Sequence, residues 1–314
     1  MIHRFGGMTM GSTYEVKFIG EVPLVTVQAA VVTLLDEFDQ MFSKWRPDSE
    51  ISRLNASPAA TPFAVSARFA AVLGQALDLA ERTEGAFDPT VGPLLTIYRR
   101  AREESGHRLD PAALDAVRDR VGHDKIEVRD GAVVRTVAGV EVDLDGIVAG
   151  ACIDAIRDEL DRLGVAAFYL EVTGEVYCRG MKAAGEPWRI GVVDPRADVL
   201  GGSAPISTIR LRDRALCTSG DYRNAFVSDG RLVHHVFDPR TARNADHAVV
   251  SVSVMASSAA LADALGTAFL VLGVAETRRL APTFAAAGEI GVLMLEAEDS
   301  VGLRRIAIDW PQEQ

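Results

Sequence analysis

Strand-like and helix-like segments follow one another along this chain without a regular strand–helix–strand repeat. That irregular order constrains the fold more than any single motif does. Residues 13–19 alternate polar and apolar side chains and read as a strand. Residues 25–42 carry Val31, Leu34, Leu35, Phe38 and Phe42 at helical spacing, and residues 65–82 form a second helix closed by Glu84-Gly85. A charged stretch at 101–121 reads as helix, and 125–142 as a hairpin turning at Asp130-Gly131. Residues 141–144 read as a strand that enters a glycine-bounded turn, followed by an amphipathic helix at 151–163. Strands at 167–172, 189–193, 207–211, 232–237 and 249–254, helices at 259–272 and 275–287, and a hairpin over 291–308 complete the series. Such interspersion favours an α+β sandwich over a doubly wound sheet or a barrel. With 314 residues and no linker rich in Pro, Gly or Ser, residues 1–314 are expected to form one domain, at most two intimately packed halves.

Charge narrows the partners. Lys and Arg number 33 against 44 Asp and Glu, a net charge of −11, which leaves no electrostatic footprint for nucleic acid or anionic lipid. Phosphates would have to be held locally, by a divalent cation, backbone N–H groups or a few placed cations. Cys152, Cys178 and Cys217 are too scattered for a zinc knot or a disulfide framework and are expected to be core thiols. No apolar run reaches the length of a transmembrane helix. The start lacks a signal-peptide pattern, so the chain is expected in the cytoplasm as written, or in the periplasm if an export signal has been removed.

Five segments could carry chemistry. Asp263 and Thr267 stand four apart on a helix, so their oxygens share a face and suit Mg²⁺, a hard cation that keeps few protein ligands. The same spacing also fits a helix-start Asp with a Thr bonded back to a carbonyl. In Asp145-Gly146-Ile147-Val148-Ala149-Gly150 the glycines would let backbone approach an anion at a helix start, or serve packing alone. His234 and His235 would face opposite ways on a strand and so cannot chelate one metal together. Cys217-Thr218-Ser219-Gly220-Asp221-Tyr222 reads as a polar turn after a strand rather than a nucleophile motif. Trp45, between Lys44 and Arg46, could stack on a ring, while Ser49 could cap the next helix.

Taken in order, Met10-Gly11-Ser12, the stretch from Phe42-Ser43 to Asn55, Gly85-Ala86-Phe87-Asp88-Pro89-Thr90, Val142-Asp143-Leu144-Asp145-Gly146-Ile147, Thr218-Ser219-Gly220-Asp221-Tyr222, His235-Val236-Phe237-Asp238-Pro239 and Ala262-Asp263-Ala264-Leu265-Gly266-Thr267 resemble the ApbE-like FAD:protein FMN transferase family over roughly residues 5–275. The resemblance implies an α+β fold of two closely joined subdomains with FAD in the cleft between them. It implies Mg²⁺-dependent cleavage of the FAD pyrophosphate, with FMN passed to a threonine hydroxyl of an acceptor flavoprotein and AMP released; some members only hydrolyse FAD. Carried onto this chain, the metal ligands are the Asp263 and Thr267 side chains and the Val148 carbonyl. FAD contacts fall to Met10, Trp45, Ala86, Phe87, Asp88, Asp145, Ala151, Val236 and Phe237. His235 is the residue to orient or deprotonate the acceptor hydroxyl, and Asp263, as the charged metal ligand, is counted with it as catalytic. Three positions depart from the commonest family wording. Ala149 stands where a lysine is usual, Glu171-Val172-Thr173-Gly174 replaces Asn-x-Gly-Gly, and Thr241-Ala242 replaces Thr-Gly. These departures keep a second reading open: a flavin-binding or flavin-delivering protein, or an FAD pyrophosphatase, of the same fold.

Overall fold

The computed structural model describes residues 2–104, 108–182, 185–195, 205–221, 225–245, 247–284, 290–298 and 302–311. Eight strands, β1 (Ile2–Thr9), β2 (Ser12–Ile19), β3 (Ala167–Val172), β4 (Glu175–Arg179), β5 (Arg214–Gly220), β6 (Val249–Ala256), β7 (Gly291–Glu298) and β8 (Gly302–Ile308), form one sheet whose spatial order is their chain order. Every neighbouring pair is antiparallel. The α+β expectation therefore holds, and the reason is visible in the connections. Some are tight turns, as at Met10-Gly11 (φ 47° and 73°) and Thr173-Gly174 (φ 57° and 106°). Others are long excursions that return beside the strand they left. Between β2 and β3 run α1 (Leu24–Phe42), α2 (Glu50–Ala56), α3 (Ala67–Arg82), α4 (Gly92–Glu103), α5 (Pro111–Val117) and α6 (Asp145–Arg162), and α7 (Ala259–Leu280) joins β6 to β7.

The sheet has apolar side chains on both faces, because its central strands alternate apolar residues inward to two different cores. Ala215, Cys217, Val252, Val254, Val292 and Met294 join the large core that α1, α3, α6 and α7 cover. Leu216, Met255, Leu293 and Leu295 point the other way, against Trp188, Ile209 and Leu211 of a two-stranded ribbon. A third cluster packs Leu94 and Tyr98 of α4 against Phe226 and Phe237. All three cysteines are buried and unpaired.

Several elements differ from the sequence reading, each for a local reason. Residues 141–144 are not a strand: the Asn55 side chain donates to the Val142 carbonyl and accepts from its N–H, both at 2.8 Å, taking the bonds a strand partner would make. The helix after them begins at Asp145 rather than 151, and the Asp143 carboxylate accepts from the Asp145 N–H at 3.0 Å as the chain turns in. The strand expected at 232–237 is broken at 234–236, where Asn244 bonds the His234 N–H and the carbonyls of His234 and Val236. β1 was hidden by its Gly6-Gly7 pair and its open edge. α4 is masked in the sequence by the glycine and proline at its start.

α7 carries a break at Gly273, whose φ of 69° and ψ of −175° suit only glycine, so the two expected helices are two arms of one kinked rod. The second arm ends at Leu280, and residues 285–287 of the expected helix lie outside the described residues. By length and composition the α7 region could cross a membrane. Its residues Leu265, Ala268 and Phe269 are nonetheless buried in the large core.

Candidate active site

α6 and α7 cross closely because Gly150 has no side chain: a Cβ there would lie 2.3 Å from the Ala259 carbonyl oxygen. The crossing is braced from α6, whose Asp154 carboxylate accepts from the Ser258 hydroxyl at 2.6 Å and from the Ala259 and Ala260 N–H groups at 3.0 Å. Held in this way, α7 lays Asp263 and Thr267 along the first turns of α6. Asp263 accepts from the Gly150 N–H at 3.1 Å. Thr267 Oγ1 lies against Gly146, where a Cβ would sit 3.1 Å from it and 3.3 Å from the Phe87 ring. Val148 lies on α6 between these two contact positions. The crossing thus brings Asp263 and Thr267 against the turn of α6 that carries Val148, and Ser219 at the end of β5 adds a hydroxyl 3.4 Å from Thr267 Oγ1.

Beside the crossing opens a cavity of about 240 Å³, lined among others by Met10, Lys44, Trp45, Asp145, Val148, Ala149 and Thr173. Met10 comes from the β1–β2 turn, Thr173 from the β3–β4 turn and Trp45 from the α1–α2 connection, where the ring is 82% exposed. Lys44 enters from the same connection and pairs with both Asp143 and Asp145. Neither the lysine nor its partners was marked as a pair by the sequence, since Lys44 and Asp143 stand 99 positions apart.

Charge at this site is out of balance. Burial pushes the Asp263 carboxyl well above the ordinary carboxylate range, the Gly150 N–H opposes that, and the Asp145 charge adds to it. Asp145 is also raised, by desolvation and then by Asp143, against the pull of Lys44. For Lys44, burial works against the charged form, but Asp143 and Asp145 outweigh it and raise its pKa. Asp143 and Asp145 thus share one ammonium, while Asp263 feels the Asp145 charge with no cation opposite it among the described residues.

The other expected residues are distributed differently. Asp88 is buried and saturated: it accepts from the Thr90 N–H and hydroxyl, at 2.8 and 2.5 Å, and from the His123 N–H at 2.8 Å, with the His123 ring 3.2 Å away. It lines a second, polar cleft of about 420 Å³ with Gly85, His123 and Arg240. Ala86, Ala151, Val236 and Phe237 are all buried in packed clusters, so a ligand could reach them only through their edges or backbone. His234 is buried and bonded to the Ala245 carbonyl at 3.2 Å. His235 is exposed, and it lines neither cleft. Of the serine-containing segment, Thr218 is bonded to Ser253 within the sheet, and Tyr222 lies outside the described residues.

This fold, an antiparallel meander covered by a kinked helix, is shared with solved flavin transferases. The flavin transferase ApbE of Vibrio cholerae superposes with a TM-score of 0.85 at 32% identity, covering 98% of this chain and 97% of that one. The apo flavinyl transferase ApbE of Pseudomonas stutzeri gives 0.86 at 30% identity, covering 98% and 94%. The ApbE family model matches residues 10–290, and the chain belongs to the ApbE family. Among curated relatives, the FAD:protein FMN transferase of Vibrio cholerae is 35% identical over 93% of this chain and 87% of its own, and that of Salmonella typhimurium is 32% identical over 85% and 77%.

Proposed function

We propose that the chain is a Mg²⁺-dependent FAD:protein FMN transferase, which moves FMN from FAD to a threonine hydroxyl of an acceptor flavoprotein and releases AMP. The observation that carries this reading is the buried Asp263 carboxylate, paired on α7 with Thr267 and set against the first turns of α6, whose Asp145, Val148 and Ala149 line a cavity. The donor set fits a hard cation. Asp263 is buried, holds one neutral N–H donor among the described residues, and feels a second carboxylate nearby. The Thr267 hydroxyl and the Val148 carbonyl complete a set of protein oxygens that leaves room for water and phosphate. A divalent cation bound there supplies charge neutralisation at the pyrophosphate.

The rest of the work belongs to the chain's own groups. Met10 and Trp45 offer apolar surface to a flavin ring. The start of α6 turns backbone N–H dipoles toward a phosphate. His235 takes the proton from the acceptor hydroxyl as its oxygen bonds to the flavin-side phosphorus; the bond from that phosphorus to the bridging oxygen breaks, and AMP leaves. Its exposure supports that role, because a hydroxyl carried by another protein has to be met at the surface.

The test is incubation with FAD, Mg²⁺ and a candidate acceptor, read by intact mass. The expected result is an FMN adduct on the acceptor and AMP in equal amount. Ala149, without the usual lysine, favours the second reading of hydrolysis or delivery. AMP without adduct would establish hydrolysis, and bound FAD with neither product would establish delivery.

A further inference from the structure

We infer that Lys44, from the α1–α2 connection, is the cation that meets the FAD pyrophosphate in this chain, taking over on a different element a role for which position 149 has no charge. The inference rests on the flavin reading above. Lys44 and Ala149 line the same cavity, and Lys44 is the only basic residue among the described residues that line it. Its side chain is 15% exposed, so the ammonium is held inside the wall rather than waving in solvent.

Its present partners do not exhaust it. An ammonium has three N–H donors. Two reach carboxylates: buried Asp143, and Asp145 at 2.6 Å, whose side chain is 65% exposed. Lys44 makes no other hydrogen bond among the described residues, so one donor remains for an oxygen arriving in the cavity. The need for such a cation is set by the walls. Asp145 lines the cavity, Asp143 is paired to the same ammonium behind it, and the Asp145 charge is felt at Asp263, so a dianionic pyrophosphate brought against these carboxylates is repelled unless cations intervene. A metal at Asp263 answers one side, and Lys44 answers the other.

The connection that carries Lys44 is also braced for the purpose. Arg46 bonds Asp39 at 3.1 Å and Asp48 at 3.4 Å, and the Ser49 N–H donates to the Arg46 carbonyl at 3.2 Å. Trp45 follows directly, so a single short loop would offer a ring to the flavin and a charge to the phosphates.

The experiment compares binding of FAD and of riboflavin, which lacks phosphate, by fluorescence titration in Mg²⁺ buffer. Lys44→Met should weaken FAD binding about tenfold or more, as loss of a charged hydrogen bond does, and leave riboflavin unchanged. Adding Ala149→Lys to Lys44→Met should restore most of the FAD affinity, and the same change in the unmutated chain should do far less. Because the methionine strands the Asp143 carboxylate, the comparison is repeated in an Asp143→Asn background, where no buried charge is left behind. FAD affinity unchanged by Lys44→Met, or an equal loss for both ligands, would overturn the inference and leave Lys44 as a brace for Asp143. Failure of the unmutated chain to bind FAD would overturn the flavin reading itself, and this inference with it.

Discussion

The Asp263 carboxylate is buried with one amide donor and no cationic partner among the described residues, which makes it costly to the apo fold. Asp263→Asn keeps the shape and removes the charge. It should abolish Mg²⁺-dependent release of AMP from FAD and, in EDTA, stabilise the protein by about 1–3 kcal/mol, the usual penalty of an uncompensated polar group. Thermal melts in EDTA, alongside AMP assays, check both halves; loss of activity with loss of stability would mean that the carboxylate is structural. At this scale the sequence was informative where chemistry is local. The spacing of Asp263 and Thr267 marks a shared helix face, and the structure sets both against α6. Lys44 was not legible as part of the site, because its partners come from the start of α6, about a hundred positions further on.

Two helix ends decide whether the site assembles. Ser258 caps α7, and Asp154 on α6 supports that end from outside the helix, accepting from the Ser258 hydroxyl and from the Ala259 and Ala260 N–H groups. Asp154→Ala should cost about 2–3 kcal/mol, the sum expected for lost capping and charged hydrogen bonds, measured by urea denaturation. Gly150→Ala forces a methyl group to 2.3 Å from the Ala259 carbonyl and should cost about 2 kcal/mol or more. Because the Gly150 N–H is the donor to Asp263, the same change should weaken Mg²⁺ binding, read by the metal-dependent rise in melting temperature. Helices with continuous apolar stripes, such as α1 and α3, were readable to within a few residues. The segments misread as strands, 141–144 and 234–236, carry strand-like composition, but single asparagines, Asn55 and Asn244, take their backbone bonds. Such side-chain clamps leave no periodic signal.

Across the molecule, buried acids set the response to pH. Burial pushes the Asp221 carboxyl up to about 6, partly offset by a backbone hydrogen bond and by His247. A carboxyl raised above its unfolded value favours the protonated native state, so its contribution is fully present below about pH 4 and is lost as pH rises through 6. Asp263 is raised in the same direction. Metal-free protein should therefore lose up to about 3 kcal/mol from Asp221 between pH 4 and pH 7. Added Mg²⁺ should stabilise more at pH 8 than at pH 5.5, because the cation binds the ionised Asp263. Melting curves across this range, with Mg²⁺ and with EDTA, test it, and a Mg²⁺ effect independent of pH would count against Asp263 as ligand. The fold class was legible because the alternation of helix and strand is a whole-chain property. The meander was not, since strand order depends on which distant edges pair.

β2 ends at Ile19 and its sheet partner β3 begins at Ala167. A ribosome therefore delivers the first hairpin long before the strand that covers its inner edge, and for that interval the edge is an open template for other chains. The hazard scales with translation time rather than with native stability. A chain stopped before Ala167 should aggregate through β2, while the complete chain, in which β3 covers that edge, should stay in solution; sedimentation of stalled nascent chains against released protein would distinguish the two.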